Sequence, residues 1–488
     1  MKHHGYTLNM LFTGIILISL TGTAYTADST VFDLTLLVRK ENIQRHLNVL
    51  AHDSLKGRAT GTDGEYKAAL YIRKQLMDMG ILPALRNSYF QSVPLHSSQL
   101  LLSSVFSVYS RRDTLRFDLK KDYVLLKSGE QTFVPRPLPL VFVGYGIVAP
   151  EYDYNDYQSL DVRGKIVVYL SGEPLADNFG PEAAIYGLSA SKERMAVSRG
   201  ARGSILISVE DTASFSWKHR INKYAFPDVN LAYSPTSHLS AIVNPASASI
   251  LFNDSRYTLG QVFKMYKEQS MVSFPLETRI AFRGEFEEQE FISQNVMGRL
   301  PGKNPKLRDQ TIIVSAHYDH LGIGPAIEQD SIYNGAVDNA LGSAALIELA
   351  RAFKTVSSNQ RTILFLFTTA EEKGLLGARY YLDHPVTPLY KTVANINVDG
   401  LAVFDRFKSV IGVGYQLSTL GQTLDEMAQA YGYSMAPIPD PFIAKESFSR
   451  SDQIEFAKAG IPSILIMDGL DYMHLTPDQG LEKHLHWI

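Results

Sequence analysis

Histidine and acidic residues recur in the carboxyl-terminal part of the chain, and their types point to metal binding. They are the stretch 317–320 (His-Tyr-Asp-His), Asp338, the pair Glu371–Glu372, Asp399 and His474. Each has an ordinary explanation by itself, such as a helix cap, a solvated pair of charges or a turn. Several carboxylates in one crevice, however, would raise one another's pKa unless a cation neutralised them. Oxygen and imidazole ligands suit Zn²⁺ or a similar divalent ion, and shared carboxylates suit a pair of ions.

These residues follow segments that predict the strands of one sheet. Apolar runs at 311–316, 362–369, 393–398 and 463–467 are typical of buried strands, and residues 341–353 have the apolar spacing of a helix. Strands that alternate with helices predict an α/β architecture with a mostly parallel sheet. Ligands of such sheets bind beyond the carboxyl ends of the strands, where the histidines and carboxylates fall.

The remainder of the chain predicts two further segments of the fold. Residues 28–95 contain a Thr-x-x-Glu capping box at 62–65 before a helix at 66–79, and we expect them to form the amino-terminal part of the catalytic domain. Residues 96–285 consist of short β-like runs between turns and predict an inserted β-rich domain. Residues 286–488 would then complete the catalytic domain.

The amino terminus has the pattern of a targeting signal. Residues 1–27 combine a positive start, a short apolar run and small residues, which is typical of a secretory signal peptide cleaved after Ala24 or Ala27. The apolar run at 10–20 is shorter than the roughly 20 residues that span a bilayer. We therefore expect an exported protein, periplasmic or extracellular, without stable membrane insertion.

Composition limits the partners and the chemistry. The chain has 47 lysines and arginines against 50 acidic residues, a formal net charge of −3, so its charge does not favour a nucleic-acid partner. It contains no cysteine, which excludes disulfides, thiolate metal ligands and a cysteine nucleophile.

Four motifs in order surround the candidate residues. They read SAHYDHLG at 315–322, YNGAVDNA at 333–340, AEEKGLLG at 370–377 and NVDG at 397–400. Together they resemble the dizinc exopeptidase family, which includes aminopeptidase Y, bacterial secreted leucyl aminopeptidases and glutamate carboxypeptidase relatives. The resemblance implies a zinc-exopeptidase α/β/α sandwich with a mostly parallel mixed central sheet, and two Zn²⁺ or similar divalent ions per chain.

Two other stretches support the same resemblance. LAHDSLKGR at 50–58 looks like the opening segment of the family. The insert at 96–285 is similar to a protease-associated (PA) domain through VGYGI at 143–147 and DVRGKIV at 161–167.

The resemblance also implies a ligand role for individual residues. His317 and Asp399 would bind one zinc, Glu372 and His474 would bind the other, and Asp338 would bridge both.

Two further residues would serve catalysis. Glu371 occupies the position of the general base, and Asp319 that of the carboxylate which orients the imidazole of His317. The alternation of a strand puts residues 317 and 319 on one side, in agreement with that pairing. We interpret His320 as a capping or packing residue.

The chain departs from the family pattern at three places. Val337 stands where an acidic residue often precedes the bridging Asp338, and Gln453 stands where a histidine is common. The last motif reads YMHLTP at 472–477 instead of Tyr-His-Thr-Pro, which changes the spacing around His474.

We therefore expect a secreted zinc-dependent aminopeptidase that acts on peptide substrates. The alternatives on the same core are a carboxypeptidase, a dipeptidase or an aminoacyl cyclase. A non-catalytic peptide-binding ectodomain is a further alternative, against which the complete set of ligand types argues. Metal content and substrate preference distinguish these possibilities.

Overall fold

The computed structural model describes residues 37–126, 132–174, 184–209, 216–224, 226–234, 238–401, 404–439 and 450–487. The predicted signal peptide and both of its possible cleavage sites lie outside these residues. Within the described ranges, no helix has the length and apolar character needed to cross a membrane.

Strands and helices follow one another along the described chain. The strands are β1 (Leu82–Pro83), β2 (Phe90–Leu100), β3 (Val105–Tyr109), β4 (Thr114–Phe117), β5 (Tyr123–Leu125), β6 (Val134–Phe142), β7 (Val148–Ala149), β8 (Tyr154–Asn155), β9 (Ile166–Leu170), β10 (Gly203–Ile207), β11 (Asp228–Leu231), β12 (Leu239–Val243), β13 (Phe274–Arg283), β14 (Phe286–Leu300), β15 (Thr311–His317), β16 (Gly322–Ile327), β17 (Asp330–Tyr333), β18 (Thr362–Thr368), β19 (Thr392–Asn397), β20 (Ser409–Val413), β21 (Ser434–Met435) and β22 (Ser463–Asp468). The α-helices are α1 (Lys40–Leu50), α2 (Asp63–Asp78), α3 (Ala184–Gly187), α4 (Ser189–Ser198), α5 (Trp217–Lys223), α6 (Leu259–Lys267), α7 (Leu341–Val356), α8 (Leu376–Asp383), α9 (Leu420–Ala430), α10 (Gln453–Lys458) and α11 (Pro477–Trp487).

The chain divides into two compact units. The first comprises the chain up to Leu95 together with Phe291–Ile488, and the second comprises His96–Glu290. Every residue predicted for the metal site belongs to the first unit.

The first unit contains a mixed sheet whose central strands are parallel. The order of strands along it is β2-β14-β18-β15-β19-β22-β20-β21. Strands β18, β15, β19 and β22 run parallel, whereas β14 and β20 are antiparallel to their neighbours β18 and β22. In register, His317 pairs with Thr368, and Ser315 pairs with Asn397. The carboxyl ends of β15, β18 and β19 therefore meet at one edge, as the sequence predicts.

Helices cover both faces of this sheet. The side chains of Ile312 and Val314 in β15 belong to a core that includes residues of α1, α2, α7 and α9. The intervening Ile313 packs in a second core with Tyr381 of α8 and Phe456 of α10. Successive residues of a strand point to opposite faces, so this alternation places β15 between two apolar layers. The predicted α/β/α sandwich with a mostly parallel sheet is confirmed.

The second unit has its own β-sheet and its own cores. Its strand order is β4-β3-β13-β6-β9-β10-β12-β5, with β6, β9, β10 and β12 parallel to one another. Phe142, Ile166 and Ile205 are buried in one core of this unit. Three of the β-like runs in this region, at 139–143, 165–170 and 204–208, correspond to β6, β9 and β10.

Helix α2 begins at the predicted capping sequence, but only half of the capping box forms. The side chain of Thr62 accepts a hydrogen bond from the backbone N–H of Glu65 at 3.4 Å, as an N-cap residue does. The carboxyl of Glu65 accepts instead from the backbone N–H of Gly61 at 2.6 Å. The second half of the predicted box is therefore wrong, because this carboxyl turns inward to contacts described below.

Candidate metal centre

His317 lies at the centre of the clustered side chains. It is the last residue of β15 and is buried. Its Nδ1 donates to the backbone carbonyl of Asp319 at 3.2 Å, which leaves Nε2 to face the carboxylates. Nε2 lies 3.0 Å from Oδ1 of Asp338 and 3.1 Å from Oδ1 of Asp399. These three residues each offer a ligand atom, and the atoms lie within 4.8 Å of one another.

A second group of possible ligands adjoins the first. His320, Asp338 and Glu372 offer atoms that again lie within 4.8 Å of one another. Nδ1 of His320 donates to Oε1 of Glu372 at 2.6 Å. Asp338 belongs to both groups, which is the position that the sequence predicts for a bridging carboxylate.

His474 does not join either group in this structure. Its Nδ1 contacts Oδ1 of Asp405 at 2.9 Å, and its backbone N–H donates to Oδ2 of the same carboxylate at 2.7 Å. Its side chain is 73% exposed. The structure therefore brings together His317, Asp338, Glu372 and Asp399 from the predicted ligand set, with His320 in place of His474.

Asp338 is positioned by the turn that leads into α7. Gly335 has a φ of 57° and begins this turn, and a Cβ there would collide with the carbonyl oxygen of Asp338. Asn339 donates through Nδ2 to the carbonyl of Val398 at 2.8 Å and accepts from the N–H of Gly342 at 3.1 Å. These bonds fasten the start of α7 to the end of β19, so Asp338 lies close to Asp399.

The carboxylate of Asp399 is oriented by neighbouring side chains. Its Oδ2 accepts a hydrogen bond from the hydroxyl of Ser451. That hydroxyl in turn accepts from Nδ2 of Asn397 at 2.7 Å. With Oδ2 occupied, Oδ1 is the atom that faces Nε2 of His317.

Asp319 contacts the residues around His317 and Glu371. Its carboxylate lies 3.6 Å from Nδ1 of His317, beyond hydrogen-bond distance. The same carboxylate accepts from the backbone N–H of Glu371 at 3.1 Å and from the hydroxyl of Thr60 at 3.1 Å. Asp319 thus orients the imidazole through its backbone carbonyl, and its side chain holds the start of the Glu371 loop.

The acidic side chains of the cluster shift one another's pKa. Burial raises the pKa of Glu371 well above its usual range; the charge of His317 opposes this shift, and Asp399 adds to it. Burial and the charge of Asp338 likewise raise the pKa of Glu372. Burial also acts to raise the pKa of Asp338, but its hydrogen bond and charge interaction with His317 hold that pKa at about 2. Such crowded carboxylates are what a divalent cation would stabilise.

A buried arginine connects the segments that carry the site. The guanidinium of Arg58 donates to the backbone carbonyls of Tyr318 at 2.8 Å, Asn334 at 2.6 Å and Gly335 at 3.0 Å, and also to that of Leu50. Burial lowers its pKa to about 10, although the carboxylates of the site act in the opposite direction. Arg58 therefore remains a cation at neutral pH beside the acidic cluster.

Sequence patterns predicted no role in the site for Arg58 or Ser451. Arg58 ends the LAHDSLKGR segment, and Ser451 lies two residues before Gln453, which departs from the family pattern. A hydroxyl or a guanidinium has many uses on a protein surface, so residue type alone did not indicate these contacts.

Two groups of oxygen and imidazole ligands lie at the carboxyl edge of the parallel strands, and they share the carboxylate of Asp338. The protein is therefore an α/β protein with a candidate dinuclear metal centre. Residues 295–486 match the sequence profile of Peptidase family M28. The predicted resemblance to the dizinc exopeptidases is confirmed.

Curated relatives match only part of the chain. Aminopeptidase YwaD of Bacillus subtilis is 29% identical over 204 residues, which are 39% of this chain and 40% of that protein. The vacuolar membrane protease of Saccharomyces cerevisiae is 34% identical over 110 residues, which are 22% of this chain and 10% of that protein. The chain thus matches less than half the length of either relative.

A solved structure resembles most of the chain. The aminopeptidase from Aneurinibacillus sp. strain AM-1 aligns with a TM-score of 0.50 and 18% sequence identity, and the alignment covers 92% of this chain and 90% of the other. At this level of identity the likeness concerns the fold.

Proposed function

We propose that this protein is a metal-dependent aminopeptidase that removes amino-terminal residues from peptides by means of two zinc or similar divalent ions. The observation that carries the proposal is the pair of ligand groups sharing Asp338, because paired metal ions are held by shared carboxylates. The names of the two compared bacterial proteins, both aminopeptidases, support the choice of reaction.

The donor set fits two such ions. His317, Asp338 and Asp399 would hold one, and Asp338, Glu372 and an imidazole would hold the other. The sequence motif assigns that imidazole to His474. When bound, a pair of divalent ions acts as a Lewis acid toward a carbonyl group and toward water.

Glu371 is the residue that we propose as general base. Its Oε2 lies 4.0 Å from Nε2 of His317, so its carboxyl is beside the first ligand group without belonging to it. The hydrogen bond from its backbone N–H to Asp319 fixes the start of its loop. In this position Glu371 would take the proton of the attacking water and pass it to the departing amine.

Several features of the proposal rest on sequence pattern alone. They are export through an amino-terminal signal peptide, the protease-associated character of the insert at 96–285, and peptides as substrates. A carboxypeptidase, a dipeptidase or an aminoacyl cyclase on the same core would differ in the substrate ends that it recognises or in the reaction that it performs.

The test combines metal content with a substrate panel. The purified full chain is analysed for zinc and assayed on aminoacyl anilides, on the same anilides with a blocked amino group, and on peptides that offer only a free carboxyl end. Glu371→Ala is the control for catalysis by a contaminating peptidase. We expect two zinc ions per chain and hydrolysis of the free-amine anilides only.

Two outcomes contradict the proposal. Cleavage from the carboxyl end would make the protein a carboxypeptidase. A chain that takes up no zinc and cleaves none of the substrates would support a binding function.

A further inference from the structure

We infer that His320 is a ligand of the second metal ion, in the place that the sequence motif assigns to His474. The inference rests on the proposed function, since it names a ligand of the same centre. It differs from our interpretation of His320 as a capping or packing residue.

The distances in the second group suit a shared ion. Two ligands that bind one zinc at about 2.0–2.1 Å lie about 3.3 Å apart in a tetrahedral site. In the first group, Nε2 of His317 lies 3.0 and 3.1 Å from its two carboxylate partners. In the second group, Nδ1 of His320 lies 2.6 Å from Oε1 of Glu372. An outward shift of a few tenths of an ångström in each of these two side chains would admit an ion.

The imidazole of His320 is held in this position from several sides. Its backbone N–H donates to the carbonyl of Arg58 at 3.2 Å, and the residue pairs with Ala59 in an isolated β-bridge. Its ring packs on Gly335, where a Cβ would collide with it. The guanidinium of Arg58 donates to the carbonyl of Gly335, so the two segments that flank the imidazole are tied to each other. Its side chain is only 12% exposed.

His474 is anchored elsewhere. The carboxylate of Asp405 binds the Nδ1 and the N–H of His474 and also the N–H of Leu475, at 3.1 Å. This arrangement would leave Nε2 as the atom that His474 could offer to an ion, yet Nε2 lies in neither ligand group. The extra Met473 between Tyr472 and His474 agrees with this displacement from the motif position.

Zinc binding to matched variants tests the inference. The full-length wild type, His320→Ala and His474→Ala are freed of metal with a chelator, titrated with Zn²⁺ by calorimetry, and analysed for bound zinc after dialysis. We expect two equivalents for the wild type and for His474→Ala. For His320→Ala we expect one equivalent, with the second weakened beyond the roughly 10–100-fold that loss of an outer partner causes.

Other results would overturn the inference. If His320→Ala keeps two ions at wild-type affinity, or if His474→Ala alone loses one, His320 is not the ligand. A wild type that binds fewer than two ions would instead contradict the proposed dinuclear function. His320→Asp restores a ligand atom and is measured beside the alanine variant. Recovery of the second ion in His320→Asp supports the inference. If a folded His320→Asp binds the second ion no more tightly than His320→Ala does, the result counts against the inference.

Discussion

The buried carboxyl of Glu65 should make the stability of the first unit depend on pH. Only 2% of Glu65 is exposed. Its Oε1 accepts from the hydroxyl of Ser293 at 2.8 Å and from that of Thr369, and its Oε2 accepts from the N–H of Gly61. Burial, reinforced by the charge of Asp319, raises its pKa from 4.5 to about 8 against the effect of these hydrogen bonds.

The sign and size of the effect follow from proton binding. Between pH 4.5 and about 8 the folded state holds a proton on Glu65 that the unfolded state has released, so the free energy of unfolding falls as the pH rises. One pKa unit corresponds to about 1.4 kcal/mol, so Glu65 lowers that free energy by about 2–3 kcal/mol between about pH 5 and about pH 7. A glutamine cannot titrate, and its amide can keep the contacts of a neutral carboxyl.

We therefore expect Glu65→Gln to gain stability relative to the wild type as the pH rises. Urea unfolding followed by circular dichroism, at several values between about pH 5 and about pH 7, measures the difference, which should grow by about 1.4 kcal/mol per pH unit. Ser293→Ala is the matched control. It loses the contacts of one hydroxyl with Glu65 and Thr369, at a cost of about 1 kcal/mol for each hydrogen bond, but keeps the titrating carboxyl and the slope of the wild type.

A difference between Glu65→Gln and the wild type that stays constant over this range would refute the reasoning. It would mean that Glu65 is ionised in the folded protein, and that its hydrogen bonds outweigh the effect of burial on its pKa.

The strands of the first unit were predictable because they are buried on both faces. The apolar runs at 311–316 and 362–369 correspond to β15 (Thr311–His317) and β18 (Thr362–Thr368), within one residue at each end. The order of strands in the sheet, with the antiparallel β14 and β20, was not predictable in the same way. Such pairings join distant segments, and an apolar run does not specify its neighbour.

Contacts between residues remote in sequence also limited what could be predicted for single side chains of the candidate site. The motifs brought His317 and Asp338 to one place because strand ends and their adjoining turns share an edge of the sheet. Glu65 was interpreted as part of a local capping box and His320 as a capping or packing residue, because the side chains that they contact are remote in sequence. Glu65 contacts Ser293, 228 residues away, and His320 contacts Glu372, 52 residues away. Local pattern cannot distinguish such contacts from a cap.

Two further predictions concern the assignment of roles within the metal centre. Asp338→Ala should lose both ions, because a bridging carboxylate binds each of them and offsets their repulsion. Asp319→Ala should keep both ions, because it retains the backbone carbonyl that holds His317 and loses only the side-chain contacts with Thr60 and the N–H of Glu371, so zinc affinity should fall by at most about 10–100-fold. Equal zinc content and activity in the two variants would contradict the assignment. Glu371 and Glu372 are adjacent, but their substitutions should have different effects, one on catalysis and the other on zinc binding. A base acts on water, so Glu371→Gln should keep both ions and the wild-type KM while kcat falls by about 10²–10⁴-fold. A ligand acts on the ion, so Glu372→Gln should lose zinc from one site and recover part of its activity in excess Zn²⁺. Zinc analysis and steady-state kinetics on both variants decide between the roles: if Glu371→Gln is the variant that loses zinc and recovers with it, the base and the ligand are exchanged.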